Sequence, residues 1–269
     1  MTRIALIADL HFGRADPDLA ATLLAALAQA RPDVVLIAGD FVQRARASQF
    51  RLARAFLDGL PAPWRAVPGN HDLPLFNLPA RLAAPHAAYR RWIAPETEFT
   101  LPLDDTLVIG LDTTTPWRHQ RGHVRPAQVE RVLRQMRKEA GARLPVILAH
   151  HPFHQRESVA KELTIGAPGA LARWAEAPPH MLLTGHLHQF LVEPFVAREG
   201  AGQTLQVHCG TSASSRTRGT PNDFALIETE PGGVRIERRV FAEGRGFVVE
   251  AAHPYRATPR GWARPAEAA

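Results

Sequence analysis

Cysteine occurs once in this chain, at Cys209, so no internal disulfide can form and the sequence suits a reducing compartment. Lysine is almost as scarce. Of 32 basic residues only Lys138 and Lys161 are lysines, which leaves 30 arginines. These are interspersed with acids and build no continuous stripe, so the formal net charge of +6 does not by itself argue for a nucleic-acid track. Long apolar runs are missing too: no stretch approaches the roughly 18 residues that a membrane span needs. The short apolar run at residues 4–8 is followed by neither a longer apolar region nor a small-residue cleavage site. The expectation is a cytoplasmic protein without a membrane span.

With 269 residues, 45% of them hydrophobic, the chain can bury a full core, and one α/β domain is expected over residues 1–241. Its plainest pattern is a series of short apolar runs that each end in polar side chains. Residues 3–8 lead to Asp9-Leu10-His11, 33–38 to Gly39-Asp40, and 64–67 to Pro68-Gly69-Asn70-His71-Asp72. Residues 146–149 lead to His150-His151-Pro152, and 181–183 to Gly185-His186-Leu187-His188. Short continuous apolar runs fit strands covered on both faces. Between the first two, Leu19, Leu23, Leu24 and Leu27 mark a helix to Ala30, giving a right-handed parallel crossover. Phe50, Ala53, Phe56, Leu57 and Leu60 mark a second helix, and Val129, Val132, Leu133 and Met136 a third that begins at Arg125-Pro126. Residues 99–103 and 106–111 read as a hairpin across Asp104-Asp105.

Ligands of such sheets bind beyond the carboxyl ends of the strands, so these polar endings fall on one rim. Residues two apart on a strand share a side, which lets Asp9 and His11 converge, and a carboxylate with an imidazole suits a borderline divalent cation. Pro68 and Gly69 constrain the turn that presents Asn70 and His71. A lone histidine after an apolar run is commonly a structural residue, and Gly-Asn-His-Asp alone reads as an ordinary turn. Five such endings in succession point to a site.

In this order, Asp9-x-His11, Gly39-Asp40, Gly69-Asn70-His71-Asp72, His150-x-Pro152 and Gly185-His186-x-His188 resemble the motifs of the calcineurin-like metallophosphoesterase superfamily, over residues 4–188. The resemblance implies a four-layer α/β/β/α sandwich with two mixed β-sheets flanked by helices and a dimetal site at the sheet edge. It implies that Asp9, His11, Asp40 and His188 hold one metal and Asp40, Asn70, His150 and His186 the other, with Asp40 bridging. The ions would be divalent or mixed-valence Mn, Fe or Zn. They would activate a hydroxide for in-line attack at phosphorus, with His71 as the catalytic histidine that serves the leaving oxygen and Asp72 orienting it. Of the histidine doublet, His150 matches the family position, and strand alternation would turn His151 away to support the scaffold or meet the substrate. Gln43 departs from the acidic residue common there.

In the remaining chain, residues 73–95, with several prolines, read as a cap or an ordinary surface excursion. Arg216 and Arg218 are candidates for a phosphoester contact on a loop that is otherwise solvated. After residues 204–207, strands near 224–228 and 234–241 are expected to complete the second sheet. Residues 242–269 read as a Pro/Arg-rich C-terminal tail, an arm over the surface or a homodimer contact. The expected substrate is a small phosphodiester such as a 3',5'-cyclic nucleotide, in keeping with a resemblance to bacterial class III cyclic-nucleotide phosphodiesterases. The alternatives are a nuclease, a phosphomonoesterase on a nucleotide or lipid headgroup, and a non-catalytic metal-binding scaffold.

Overall fold

Apolar residues on both faces of the central strands sort the interior into three layers. The computed structural model describes residues 1–139, 141–156, 161–196, 203–259 and 261–265. In chain order the elements are β1 (Arg3–Ile7), α1 (Pro17–Ala30), β2 (Val34–Ala38), α2 (Ala47–Asp58), β3 (Trp64–Val67), α3 (Leu78–Ala83) and α4 (Ala87–Trp92). Then come β4 (Phe99–Pro102), β5 (Thr106–Gly110), α5 (Pro126–Lys138), β6 (Leu144–Leu148), α6 (Ala167–Trp174) and β7 (His180–Thr184). The chain closes with β8 (Leu191–Val196), β9 (Gln203–His208), β10 (Asp223–Glu230), β11 (Gly233–Ala242), β12 (Gly246–Thr258) and β13 (Gly261–Ala263).

One sheet runs β13-β12-β11-β10-β1-β2-β3, the other β4-β5-β6-β7-β9-β8. Both are mixed: β1, β2 and β3 are parallel while β10 to β13 pair antiparallel, and β5, β6, β7 and β9 are parallel between antiparallel edges β4 and β8. Ile4, Leu6 and Leu36 of the first sheet meet Val146, Leu148, Met181 and Leu183 of the second in the central layer. The alternate residues Ala5, Ile7, Val35 and Ile37 turn outward onto Leu23 and Leu27 of α1 and Phe50 and Leu57 of α2. On the other flank Ile109, Ile147 and Leu182 pack on Val132, Leu133 and Met136 of α5 and on Leu171 and Trp174 of α6. The result is the α/β/β/α sandwich with two mixed sheets, and the carboxyl ends of β1, β2, β3, β6 and β7 meet at one edge. Within a strand, period two sends neighbours to different layers, which is why β1, β2, β6 and β7 carry no polar residue in mid-strand, while the edge strand β3 carries the exposed Arg65.

Two segments depart from expectation. The stretch expected as a separate tail from residue 242 instead extends the first sheet: β12 pairs along β11 and β13 pairs on β12. Tyr255 and Trp262 from these strands lie in the central core. Most of β12 is exposed or half-buried, so it lacks the apolar alternation that marks a strand in sequence, and a register shift at Arg238/Arg239 further blurs the pattern. Residues 260 and 266–269 of that tail lie outside the described residues. Strands 203–208, 223–230 and 233–242 also do not share one sheet: β9 belongs to the second, β10 and β11 to the first. The cap-like stretch 73–95 holds α3 and α4, with Tyr89 buried against Phe41.

Candidate metal centre

At this edge the backbone makes tight turns directly after each strand. Asp9, His11, Asp40, His186 and His188 all have positive φ, 52°, 45°, 55°, 69° and 58°, a conformation that costs a non-glycine residue about 1–3 kcal/mol and persists where the surrounding structure enforces it. β1 ends at Ile7, so Asp9 and His11 converge through these turns and not through strand alternation. Hydrogen bonds stitch the turns together: Asp9 N–H donates to the Gly39 carbonyl (3.1 Å) and His11 N–H to that of Asp40 (2.9 Å). Gly69 makes the closest approach. A Cβ there would lie 2.2 Å from Asp40 Oδ1, so only glycine lets the third turn reach the second.

Each buried carboxylate spends one oxygen on a neighbouring turn and turns the other inward. Asp9 Oδ2 accepts the His186 N–H (2.8 Å), while its Oδ1 has no hydrogen-bond partner and lies 3.5 Å from His11 Nε2 and 3.4 Å from His188 Nε2. Asp40 Oδ1 accepts the His71 N–H (2.8 Å), and its Oδ2 lies 3.7 Å from His11 Nε2 and 3.5 Å from His150 Nε2. The histidines are aimed in the same way. His150 Nδ1–H donates to the Ala38 carbonyl (2.6 Å) and His188 Nδ1–H to that of Arg216 (2.7 Å), which leaves both Nε2 atoms to the centre. His150 Nε2 is 3.3 Å from Asn70 Oδ1 and 3.2 Å from His186 Nδ1. Outer partners of this kind fix the tautomer of a ligating imidazole.

All seven expected ligands therefore share one buried edge. Ligand atoms of Asp9, His11 and His188 lie within 4.8 Å of one another, as do those of Asp9, Asp40 and His150. Both buried carboxylates are held in their charged form. Burial alone would raise the carboxyl pKa of Asp9 and of Asp40, yet the facing histidines, His188 and His150 foremost, bring both below their ordinary value. Burial would lower His150, and Asp40 overcomes it, raising the imidazole to about 9. An unpartnered buried carboxylate oxygen beside imidazole nitrogens is a donor set that fits a divalent cation.

The remaining expected residues fall out as follows. His71 borders the cluster, with Nδ1–H donating to the Gln43 carbonyl (2.7 Å) and Nε2 3.2 Å from Arg216 Nη1; burial, before any charge, holds its pKa below the ordinary value. Asp72, expected to orient His71, does not contact its ring. Its carboxylate accepts the N–H groups of Gly69 (2.8 Å) and Val42 (3.2 Å), stapling the second and third turns, and the backbone of Gln43 orients His71 instead. The doublet also departs from expectation. β6 ends at Leu148, before the histidines, so alternation does not apply to them, and both rings reach His186: their centroids lie 5.0 Å (His150) and 4.8 Å (His151) from it. His151 Nδ1 pairs with Thr113 Oγ1 (2.8 Å), while its Nε2 is buried without a partner. Arg216 lies at the centre's mouth, whereas Arg218 is exposed and touches the site only through charge, on Lys161 and Arg216.

Sequence reasoning missed Lys161, whose ammonium donates to the His186 carbonyl and whose pKa falls to about 8, chiefly by burial. Its only signal was being a lysine in an arginine-rich chain. It also missed Arg14 and Arg44, which line, with Asn70, His71 and Arg216, a cleft of about 480 Å³.

Residues 2–190 match the model of the calcineurin-like phosphoesterase family. The chain belongs to that family. Among curated relatives of this calcineurin-like phosphoesterase, a cAMP/cGMP dual specificity phosphodiesterase of Mycobacterium tuberculosis is 26% identical over 202 residues, covering 70% of this chain and 59% of the relative. The chain thus spans less than two thirds of that protein's length. A probable cyclic nucleotide phosphodiesterase of Synechococcus is 25% identical over 250 residues, covering 86% of this chain and 88% of the relative. Among solved structures, purple acid phosphatase PPD1 from yellow lupin superposes with a TM-score of 0.63 at 12% identity, over 94% of this chain and 53% of that one. Vps29 of Entamoeba histolytica, as a D62A mutant, gives 0.51 at 13% identity, over 94% and 99%. These two likenesses show the fold. The chain thus carries the calcineurin-like phosphoesterase family's domain with candidate metal-holding groups at its edge, and no described helix is long and apolar enough to cross a membrane.

Proposed function

We propose that the chain is a binuclear metal-dependent phosphodiesterase acting on a small phosphodiester, a 3',5'-cyclic nucleotide being the favoured class. The observation that carries this reading is the place of Asp40. Its Oδ2 stands between His11 Nε2 at 3.7 Å and His150 Nε2 at 3.5 Å, so one carboxylate faces both ligand groups. Asp9, His11 and His188 would complete one site and Asn70, His150 and His186 the other. These residues would hold two divalent ions, whose chemistry would be to activate a water and to neutralise phosphoryl oxygens. Mn, Fe or Zn all suit this donor set.

The protein's own residues account for binding and leaving-group assistance. Arg216, Arg44 and Arg14 line the cleft and give a phosphoester its counter-charge. Arg216 Nη1 lies 3.2 Å from His71 Nε2 and 3.5 Å from His11 Nε2, so the same guanidinium reaches the catalytic histidine and the ligand group. His71 serves the leaving oxygen through Nε2, its ring fixed by the Gln43 carbonyl. The names of the two curated relatives favour a cyclic phosphodiester, and a cleft of about 480 Å³ suits a mononucleotide-sized substrate. The lone, buried Cys209 fits action in the cytoplasm.

Metal analysis and a phosphoester panel test the reading together. Purified protein assayed with Mn, Fe, Zn or chelator should hydrolyse diesters, cyclic nucleotides among them, faster than monoesters or single-stranded DNA, and chelation should abolish turnover. Asp40→Asn should lower occupancy of both ions and turnover together. Two tightly held ions and full activity in that variant would sink the bridging role, and a preference for monoesters or DNA would overturn the diesterase reading.

A further inference from the structure

Large apolar side chains are seldom left in water, yet the two segments that flank the cleft expose four. Phe76 is 80% exposed, Trp117 76%, Leu78 60% and Leu82 43%. Leu78 and Leu82 are four apart on α3 and so share one face. Trp117 belongs to a different segment, and Arg81 joins the two. This nearly buried guanidinium, 3% exposed, donates to the Pro116 (2.7 Å) and Arg118 (2.7 Å) carbonyls on either side of Trp117 and to the Pro74 carbonyl (2.9 Å) on the chain just before Phe76. Arg81 thereby ties the segment that carries Trp117 to the one that carries Phe76, Leu78 and Leu82, and the exposed side chains of the two segments make up the rim. The same two segments also line the cleft, through Leu73 and Leu75 on one side and His119 and Gln120 on the other. The cleft has its own apolar wall, so Phe76 and Trp117 are surplus to it.

Charge decides what the rim fits. Residues 73–95 and 113–129, which build it, contain no aspartate or glutamate, although the whole chain has 26. Arg118 on the rim is exposed. Arg44 sits between rim and cleft, its guanidinium over the Phe76 ring at 5.9 Å and Nη1 3.4 Å from His71 Nδ1. Neither Arg44 nor Arg118 has an ion pair among the described residues. An acid-free surface carrying tryptophan, phenylalanine, leucine and arginine has the composition of interfacial membrane anchors, where apolar groups enter the acyl boundary and arginines meet anionic headgroups. A second copy of this chain is a poorer occupant, because a self-complementary contact would oppose two positive rims.

We propose that the rim of Phe76, Leu78, Leu82 and Trp117 docks the enzyme on an anionic phospholipid bilayer, with the mouth of the cleft turned to the headgroups. This goes beyond the phosphodiesterase reading and does not depend on it, since the test reads binding and not turnover. Co-sedimentation should carry the protein down with vesicles of phosphatidylcholine mixed with phosphatidylglycerol, less with phosphatidylcholine alone, and less when salt is added. Both Phe76 and Trp117 are exposed, so Phe76→Ser/Trp117→Ser should keep its unfolding midpoint. It should lose about tenfold or more of the vesicle affinity, as expected when two interfacial aromatics worth more than about 1.4 kcal/mol together are removed. Wild-type tryptophan emission should shift to the blue on mixed vesicles, and the Trp117→Ser variant should lose that shift. Failure to sediment with anionic vesicles, or equal affinity of the double variant, would overturn the proposal. So would a dimer in light scattering that the same substitutions dissolve.

Discussion

His71 and the doublet His150-His151 show how a side chain's second contact assigns its work. His71 Nδ1–H donates to the Gln43 carbonyl, so Nε2, beside Arg216 Nη1 at 3.2 Å, is the ring nitrogen that would serve the substrate. His71→Ala should retain metal content and lose about 10² to 10⁴ in turnover, the usual range for a positioned acid or base. The loss should be smaller for a p-nitrophenyl ester, whose leaving group needs little protonation, than for an alkoxide-leaving diester. Equal losses would assign the leaving-group role to Arg216, the neighbouring donor at 3.2 Å. For the doublet, His150 is tied to the Ala38 carbonyl and faces Asp40, while His151 is tied to Thr113. Metal-to-protein ratios should show one ion lost or weakened in His150→Ala and both retained in His151→Ala, with a smaller loss of activity. The opposite pattern would move the ligand to His151, whose unpartnered Nε2 makes it the competing donor.

Among the elements, β7 and β9 are joined by two buried histidines that take no part in the site. His180 on β7 donates Nδ1–H to the Pro178 carbonyl (3.0 Å) and accepts from Thr204 Oγ1 on β9 (3.0 Å). His208 on β9 accepts from Thr184 Oγ1 on β7 and donates to the His154 carbonyl (3.2 Å). Each imidazole has both nitrogens hydrogen-bonded in its neutral form, and burial lowers each pKa from 6.5 to about 4. Between those values protons bind the unfolded chain more tightly than the folded one. The stability contribution is therefore whole above pH 6.5 and is lost as pH falls toward 4, the loss at pH 5 being about 2 kcal/mol per histidine. Denaturant midpoints taken with the metals chelated should drop over this window, and His180→Gln should flatten the slope. A wild-type midpoint constant from pH 7 to 5 would contradict the assignment. Element existence was legible wherever an apolar run was buried on both faces. α6 was passed over because Pro168 and Gly169 interrupt its opening turn, and β8 and β12 because their partial exposure removes the pattern.

At the scale of the whole molecule, the last strands belong to the core. Tyr255 is 1% and Trp262 3% exposed, Trp262 Nε1–H donates to the His180 carbonyl of the opposite sheet (3.0 Å), and both sit in the central layer. Ending the chain after Ala242 would leave β11 as a bare edge and open the space those two rings fill. Removing one large aromatic from a core costs about 3–5 kcal/mol, so the truncated protein should be largely unfolded by circular dichroism; an unchanged melting midpoint would restore the picture of a dispensable tail. The sequence by itself determined a series of largely apolar strands with polar endings and the seven residues gathered on one rim, because a strand covered on both faces turns polar only where it leaves the sheet; the sandwich was legible only as what the motifs' resemblance to a known family implied. Only the tertiary structure decided that Gln43 and not Asp72 orients His71, that both histidines of the doublet face His186, and that Lys161, Arg14 and Arg44 join the site. Those facts depend on which turn lies against which across distances of dozens of residues, on backbone carbonyls that carry no sequence signature, and on positive-φ turns where strand alternation no longer predicts direction.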